Sequence, residues 1–121
     1  RKESTILEAI EDLKELRQRA AHVRLKSSSL LMNQELVDRF ELDNLLDVAL
    51  TLAEGALARQ ESRGAHSRED YPERSEDFQY HTLAYLEEDG RVRLSQRPID
   101  MSLFQEGGEQ AKHFGLLERK Y

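Results

Sequence analysis

Between Leu42 and Leu57 nine apolar side chains (Leu42, Leu45, Leu46, Ala49, Leu50, Leu52, Ala53, Ala56 and Leu57) recur at helical spacing and cover a broad arc. A helix with so wide an apolar face cannot satisfy itself against one neighbour. The chain therefore has to supply at least two packing partners for a central helix, which is predicted to run from about Glu41 to Arg63. Gly55 interrupts it at a cost in helix stability, predicting a close backbone approach there, with simple tolerance of a glycine as the alternative. Gly64 stands where the helix is predicted to end, and glycine can take the left-handed conformation that caps the last carbonyls. Pro72 forbids a helix through Tyr71.

One partner lies upstream. Ile6, Ala9, Ile10, Leu13, Leu16, Ala20 and Val23 form a single apolar stripe, predicting a first helix from about Thr5 to Val23 that packs on one side. Thr5-Ile6-Leu7-Glu8 fits a capping box, with Thr5 as N-cap. Glu15 and Arg19 stand in the favourable order for a surface ion pair. Ser27-Ser28-Ser29 breaks the pattern, and Leu30, Leu31 and Met32 are expected to plug one end of a bundle. Asn33 is a candidate N-cap for a helix through about Phe40, which could be continuous with the central one.

The second partner lies downstream. Phe78–Leu86 and Arg91–Ile99 flank Glu88-Asp89-Gly90, and Asp-Gly between two such runs signals a β-hairpin. Pro98 confines the second strand to an edge or an end. From Met101 onward Gly107-Gly108 and Gly115 erase periodicity, so this tail reads as an extended arm. The expected fold is mainly α: an up-and-down bundle of about three helices, spectrin-repeat-like, followed by a β-hairpin and an extended C-terminal arm. Residues 1–77 hold the bundle and its charged corner, and residues 78–121 the hairpin and arm, within one structural domain.

Composition excludes several function classes. With 121 residues the chain is one domain at most. It has no cysteine, which removes disulfides, thiolate catalysis and cysteine-ligated metal. A net charge of -6 argues against nucleic-acid partners. Six acids (Glu35, Asp38, Glu41, Asp43, Asp47, Glu54) against Arg39 alone supply most of that excess, as expected of a solvated acidic face. No apolar stretch reaches membrane-span length and no signal-peptide pattern is visible. Opening on Arg1-Lys2-Glu3 without an initiator Met, the sequence reads as cut from a longer polypeptide.

The chemistry-bearing residues concentrate in Glu61-Ser62-Arg63-Gly64-Ala65-His66-Ser67-Arg68-Glu69-Asp70-Tyr71-Pro72-Glu73-Arg74. The four histidines, His22, His66, His81 and His113, lack the spacing of a metal site. Ser62 and His66 are four apart without a nucleophile elbow, and Gly107-Gly108 lacks a phosphate-binding fingerprint. Neither catalytic nor cofactor or metal ligands are therefore assigned. Arg59, Arg63, Arg68 and Arg74 can instead fork onto Glu61, Glu69, Asp70 and Glu73. Such a network either holds the loop in shape, faces another domain, or does both.

The run from Arg59 to His66, continued by Arg68-Glu69-Asp70-Tyr71-Pro72-Glu73-Arg74 and His81-Thr82-Leu83, resembles the C-terminal region of the flavoprotein subunits of succinate dehydrogenase and fumarate reductase. Glu41-Leu42-Asp43-Asn44-Leu45, Leu13-Lys14-Glu15-Leu16-Arg17 and the ending Arg119-Lys120-Tyr121 are similar to the same family. The resemblance implies a non-catalytic helical domain of an oxidoreductase that interconverts succinate and fumarate through FAD. That FAD would belong to the parent flavoprotein, with no cofactor in this segment. The implied partners are the FAD-binding domain of the same polypeptide and an iron–sulfur subunit, with no nucleic acid and no direct membrane insertion. The implied location is cytoplasmic, at the inner face of a membrane through partner subunits. The family's catalytic residues precede this region. Arg59, Glu61, Ser62, Arg63, Gly64, His66, Arg68, Asp70, Arg74 and His81 are the candidates for interdomain docking. L-aspartate oxidase shares parts of the pattern and is the alternative parent. Two further alternatives are an autonomous interaction module and an independent enzyme using His66, Asp70 and His81.

Overall fold

The computed structural model describes residues 1–104. Within them two α-helices, α1 (Glu3–Ala20) and α2 (Gln34–Ala58), precede an antiparallel hairpin of β1 (Tyr80–Leu86) and β2 (Val92–Pro98), with short 3-10 turns at Glu76–Phe78 and Ser102–Phe104. The three-helix expectation is thus corrected to two among the described residues: the segments anticipated on either side of Phe40 are one unbroken helix of 25 residues. Nothing at Phe40-Glu41 breaks the backbone ladder. The only N-cap in that region is Asn33, whose side chain accepts the Leu36 N–H at 3.2 Å. The anticipated C-terminal arm and His113 fall largely or wholly in residues 105–121, outside the described residues.

The first helix begins two residues earlier than expected and ends three earlier. Thr5 is not its N-cap. It occupies the third helical position, where its hydroxyl accepts the Lys2 N–H at 3.2 Å, the return half of a capping box. A further orphan donor is met from far away in sequence: the Asp70 carboxylate accepts the N–H of Glu3, the first helical residue, at 2.8 Å. Ile6 and Ile10 on α1 meet Leu50 on α2, and Leu13, Ala53, Leu57, Leu86 and Val92 pack around them. One face of α2 thus touches both α1 and the hairpin, as the width of its apolar arc requires.

Pairing runs from Tyr80↔Pro98 to Leu86↔Val92, so Pro98 ends its strand. The turn closes with Gly90 N–H to Glu87 O and Glu87 N–H to Arg91 O, both 2.9 Å. Gly90 has φ +81, and a Cβ there would lie 2.8 Å from an Arg17 guanidinium nitrogen. Glycine serves this turn both for its backbone angle and for the approach of α1.

Leu30, Leu31 and Met32 do not plug the bundle. They stand almost wholly in solvent, at 85, 84 and 103 % exposure. The apolar cluster between the helices is built from Ile6, Ile10, Leu50 and their neighbours, and the loop takes no part in it.

Candidate docking corner

The end of α2 sets the geometry. The helix stops at Ala58, not near Arg63, because Arg59 turns to extended backbone. Gly64 is left-handed at φ +60 as anticipated, yet its role differs. It forms the tight turn that lets Arg63 and His66 exchange backbone hydrogen bonds of 2.8 and 3.1 Å. The helix is capped by a side chain instead: Arg68 Nη1 donates to the carbonyls of Ala56 and Leu57 at 3.0 and 3.1 Å. A cation at a helix C-terminus answers both the orphan carbonyls and the macrodipole.

Arg68 is 1 % exposed, and its other two nitrogens grip Asp70 in a bidentate pair, both contacts 2.7 Å. Since Asp70 also takes the Glu3 N–H, one ion pair ties the C-terminus of α2 to the N-terminus of α1. Each charge sits at the helix end whose dipole favours it. The Arg68 fork holds the Asp70 carboxyl far below the usual carboxylate range against some desolvation, and the Glu3 N–H adds to it. Asp70 in turn pushes the Arg68 guanidinium above its ordinary value.

Glu61 is the second node, fully buried. It accepts from Arg59, from Arg63 Nε at 2.9 and 3.1 Å, and from the Ser75 N–H at 3.0 Å. Burial alone would raise its pKa. The hydrogen bonds from Arg63, Ser75 and Arg59 outweigh that and hold the carboxyl below its ordinary range. Arg59 continues to the Phe78 and Tyr80 carbonyls at 2.9 and 2.6 Å and lies over both rings, stapling the helix end to β1. Arg63 reaches the Ser75 carbonyl at 2.9 Å. Ser62 Oγ accepts the Arg68 N–H at 2.8 Å and lies 2.8 Å from the Tyr71 carbonyl, and the His66 ring meets the Arg59 carbonyl at 3.1 Å.

Eight of the ten candidates therefore gather at one corner, while Arg74 and His81 are exposed beside it. His66 and Asp70 are engaged with different partners, and the described residues contain no group of three or more His, Asp or Glu able to hold a metal ion.

Beside the corner opens a groove of about 860 Å³. Thr5, Ile6 and Ala9 of α1, Val48, Leu52, Gly55 and Ala56 of α2, Ala65 and His66 of the turn, and Thr82 and Ala84 of β1 line it. The close approach expected at Gly55 is not made by the described residues: a Cβ built there meets none of them within 4 Å. Sequence reasoning missed this groove, although the run of small residues Ala49, Ala53, Gly55 and Ala56 in α2 was its visible signal.

The profile of the family described as "Fumarate reductase flavoprotein C-term" matches residues 1–121. The chain belongs to this family. It is 45% identical over 91 residues to the succinate dehydrogenase flavoprotein subunit of Rickettsia conorii, covering 74% of this chain and 15% of that protein. It is 38% identical over 104 residues to the fumarate reductase flavoprotein subunit of Mycobacterium tuberculosis, covering 85% and 18%. Its fold superposes on E. coli quinol fumarate reductase FrdA with a TM-score of 0.79 and 38% identity, over 82% of this chain and 17% of that one. The Mycobacterium smegmatis Sdh1 complex in the apo form gives a TM-score of 0.68 at 29% identity, over 85% and 18%. The chain thus spans less than a fifth of these relatives, as the C-terminal domain of a succinate dehydrogenase/fumarate reductase flavoprotein subunit. No helix among the described residues is long and apolar enough to cross a membrane.

Proposed function

We propose that this domain is a non-catalytic brace that docks, through the groove beside its charged corner, on the FAD-binding domain of the same polypeptide. The parent protein would interconvert succinate and fumarate through FAD and pass electrons to or from an iron–sulfur subunit. Its location would be cytoplasmic, peripheral at the inner membrane face through its partners.

The observation that supports docking is Gly55. A glycine inside a helix costs roughly 0.5–1 kcal/mol relative to alanine, and no contact among the described residues requires it. Something outside these residues, packed closely on Gly55 and Ala56, gives that cost a purpose. The corner's part follows from its geometry. Glu61 and Arg68 are buried, so they act by holding the turn in shape. The exposed Arg74 and His81, with Ala65 and His66 at the groove wall, are the ones placed to touch another domain.

The test has two arms. The chain passed through gel filtration with excess FAD is expected to emerge colourless and without fumarate reductase activity; stoichiometric bound flavin would sink the non-catalytic reading. In the full-length flavoprotein, Gly55→Leu fills the groove and is expected to loosen docking, seen as faster proteolysis between the domains. Unchanged proteolysis would remove the groove from the interface.

A further inference from the structure

A second apolar surface lies at the N-terminal end of α2. Leu30, Leu31 and Met32 precede the helix, and Val37 and Phe40, on its first turns, are 47 and 62 % exposed. From Phe40 to Val48, the first α2 residue of the groove, the helix rises about 12 Å, at roughly 1.5 Å per residue, with the exposed Leu45 between them.

The loop is built to display its side chains. Asn33 Nδ2 donates to the Ser27 and Ser29 carbonyls at 3.3 and 2.7 Å. The Glu35 carboxylate accepts the Lys26 and Ser27 N–H groups at 2.9 and 3.3 Å. Ser29 Oγ accepts the Leu31 N–H at 3.1 Å. Met32 takes φ +52, a left-handed angle that is strained for a non-glycine residue. A loop held this firmly, with a strained residue, still leaves three large apolar groups in water. With Val37 and Phe40 on the first turns of α2 they make five exposed large apolar side chains within one short stretch, more than the singly scattered apolar residues of an ordinary surface.

Charge selects among occupants. Asp38 and Glu41 share the exposed side of α2 with Val37, and the helix carries Arg39 as its one basic residue, paired with Asp43 on another side. Arg24 and Lys26 belong to the chain entering the loop, before the serines. A second copy placed patch to patch would set acid against acid, which disfavours a symmetric dimer.

We propose that Leu30, Leu31, Met32, Val37 and Phe40 form the docking site for a second polypeptide of the same assembly, whose contact surface is apolar at its centre and basic at its rim. The proposal rests on reading this chain as one domain of a subunit within a multisubunit assembly. Met and Leu supply an adaptable apolar contact, and the two carboxylates supply steering and register.

The test footprints the full-length flavoprotein with a carbene reagent, once as the free subunit and once in the purified assembly. Labelling of residues 30–40 is expected to fall several-fold in the assembly. Asp38→Lys with Glu41→Lys is expected to weaken association roughly tenfold and to flatten its salt dependence. Leu31→Glu, in an exposed loop, should leave far-UV circular dichroism intact and abolish the protection. Equal labelling in both states overturns the proposal. So does protection already present in a monomeric free subunit, which would mean that the protein's own chain covers the patch, or protection found only in a homodimer. Val48, Leu52 and Ala56 serve as the separate readout for the groove. Strong labelling there in the free subunit would defeat the brace reading without deciding the fate of the patch.

Discussion

Glu61 holds two guanidinium groups on one buried carboxylate, so its removal strands two cations rather than one. Glu61→Gln is expected to destabilise the chain by about 3–5 kcal/mol, the usual cost of breaking a buried pair, measured by urea unfolding at neutral pH; a loss under 1 kcal/mol would show the corner to be ornamental. The acid limb follows from the same carboxylates. Glu61 and Asp70 both have depressed folded pKa values, so their stabilisation is complete above the unfolded values of about 4.3 and 3.9. It drains away as pH falls below them. Stability should therefore be level from neutral pH down to about 5 and fall steeply below 4. Asp70→Asn should lower the plateau and shallow the fall. The residue types of this corner were legible in the sequence, as was the expectation that arginines and carboxylates would answer one another. Their pairing was not. Asp70 caps a helix that begins 67 residues away, and no local pattern encodes a contact between a loop and a distant helix end.

The elements were legible where periodicity decided them and not where tertiary contacts did. α2 and the hairpin follow from an apolar arc and an Asp-Gly turn, both properties of neighbouring residues. Helix ends were displaced because the capping groups came from elsewhere: Asp70 starts α1 early, and Arg68 ends α2 before Gly64 is reached. Leu30–Met32 were misplaced for a related reason, since hydropathy says that a side chain seeks cover without saying whose. Two glycines now separate two causes. Gly64 is left-handed, and a Cβ built there meets none of the described residues within 4 Å, so Gly64→Ala should cost roughly 1–2 kcal/mol through its backbone angle. Gly90→Ala meets the same penalty and must also displace Arg17, which pairs with Asp47. It should lower the thermal midpoint further than Gly64→Ala; the reverse order would show that the hairpin turn does not bear on α1. Gly55→Ala should act in the opposite direction, stabilising the isolated chain by roughly 0.5–1 kcal/mol, because the helix gains and none of the described residues is crowded.

At the scale of the whole molecule the described residues bury few apolar side chains, and much of the cohesion passes through the corner, which links α1, α2 and β1. The same residues leave two apolar surfaces uncovered, one at the N-terminal end of α2 and one along its C-terminal half. Family membership was legible from the Glu61–His66 core and its neighbours. The placement of the surfaces was not, since it depends on which residues of an arc remain after internal packing has taken its share. Charge used for internal bracing and apolar surface left open is the combination on which the brace reading rests. The decisive measurement is carbene footprinting of Val48, Leu52 and Ala56 in this chain alone and in the full-length flavoprotein. The brace reading predicts strong labelling in the chain alone and protection in the full-length protein; equal labelling in the two would contradict it.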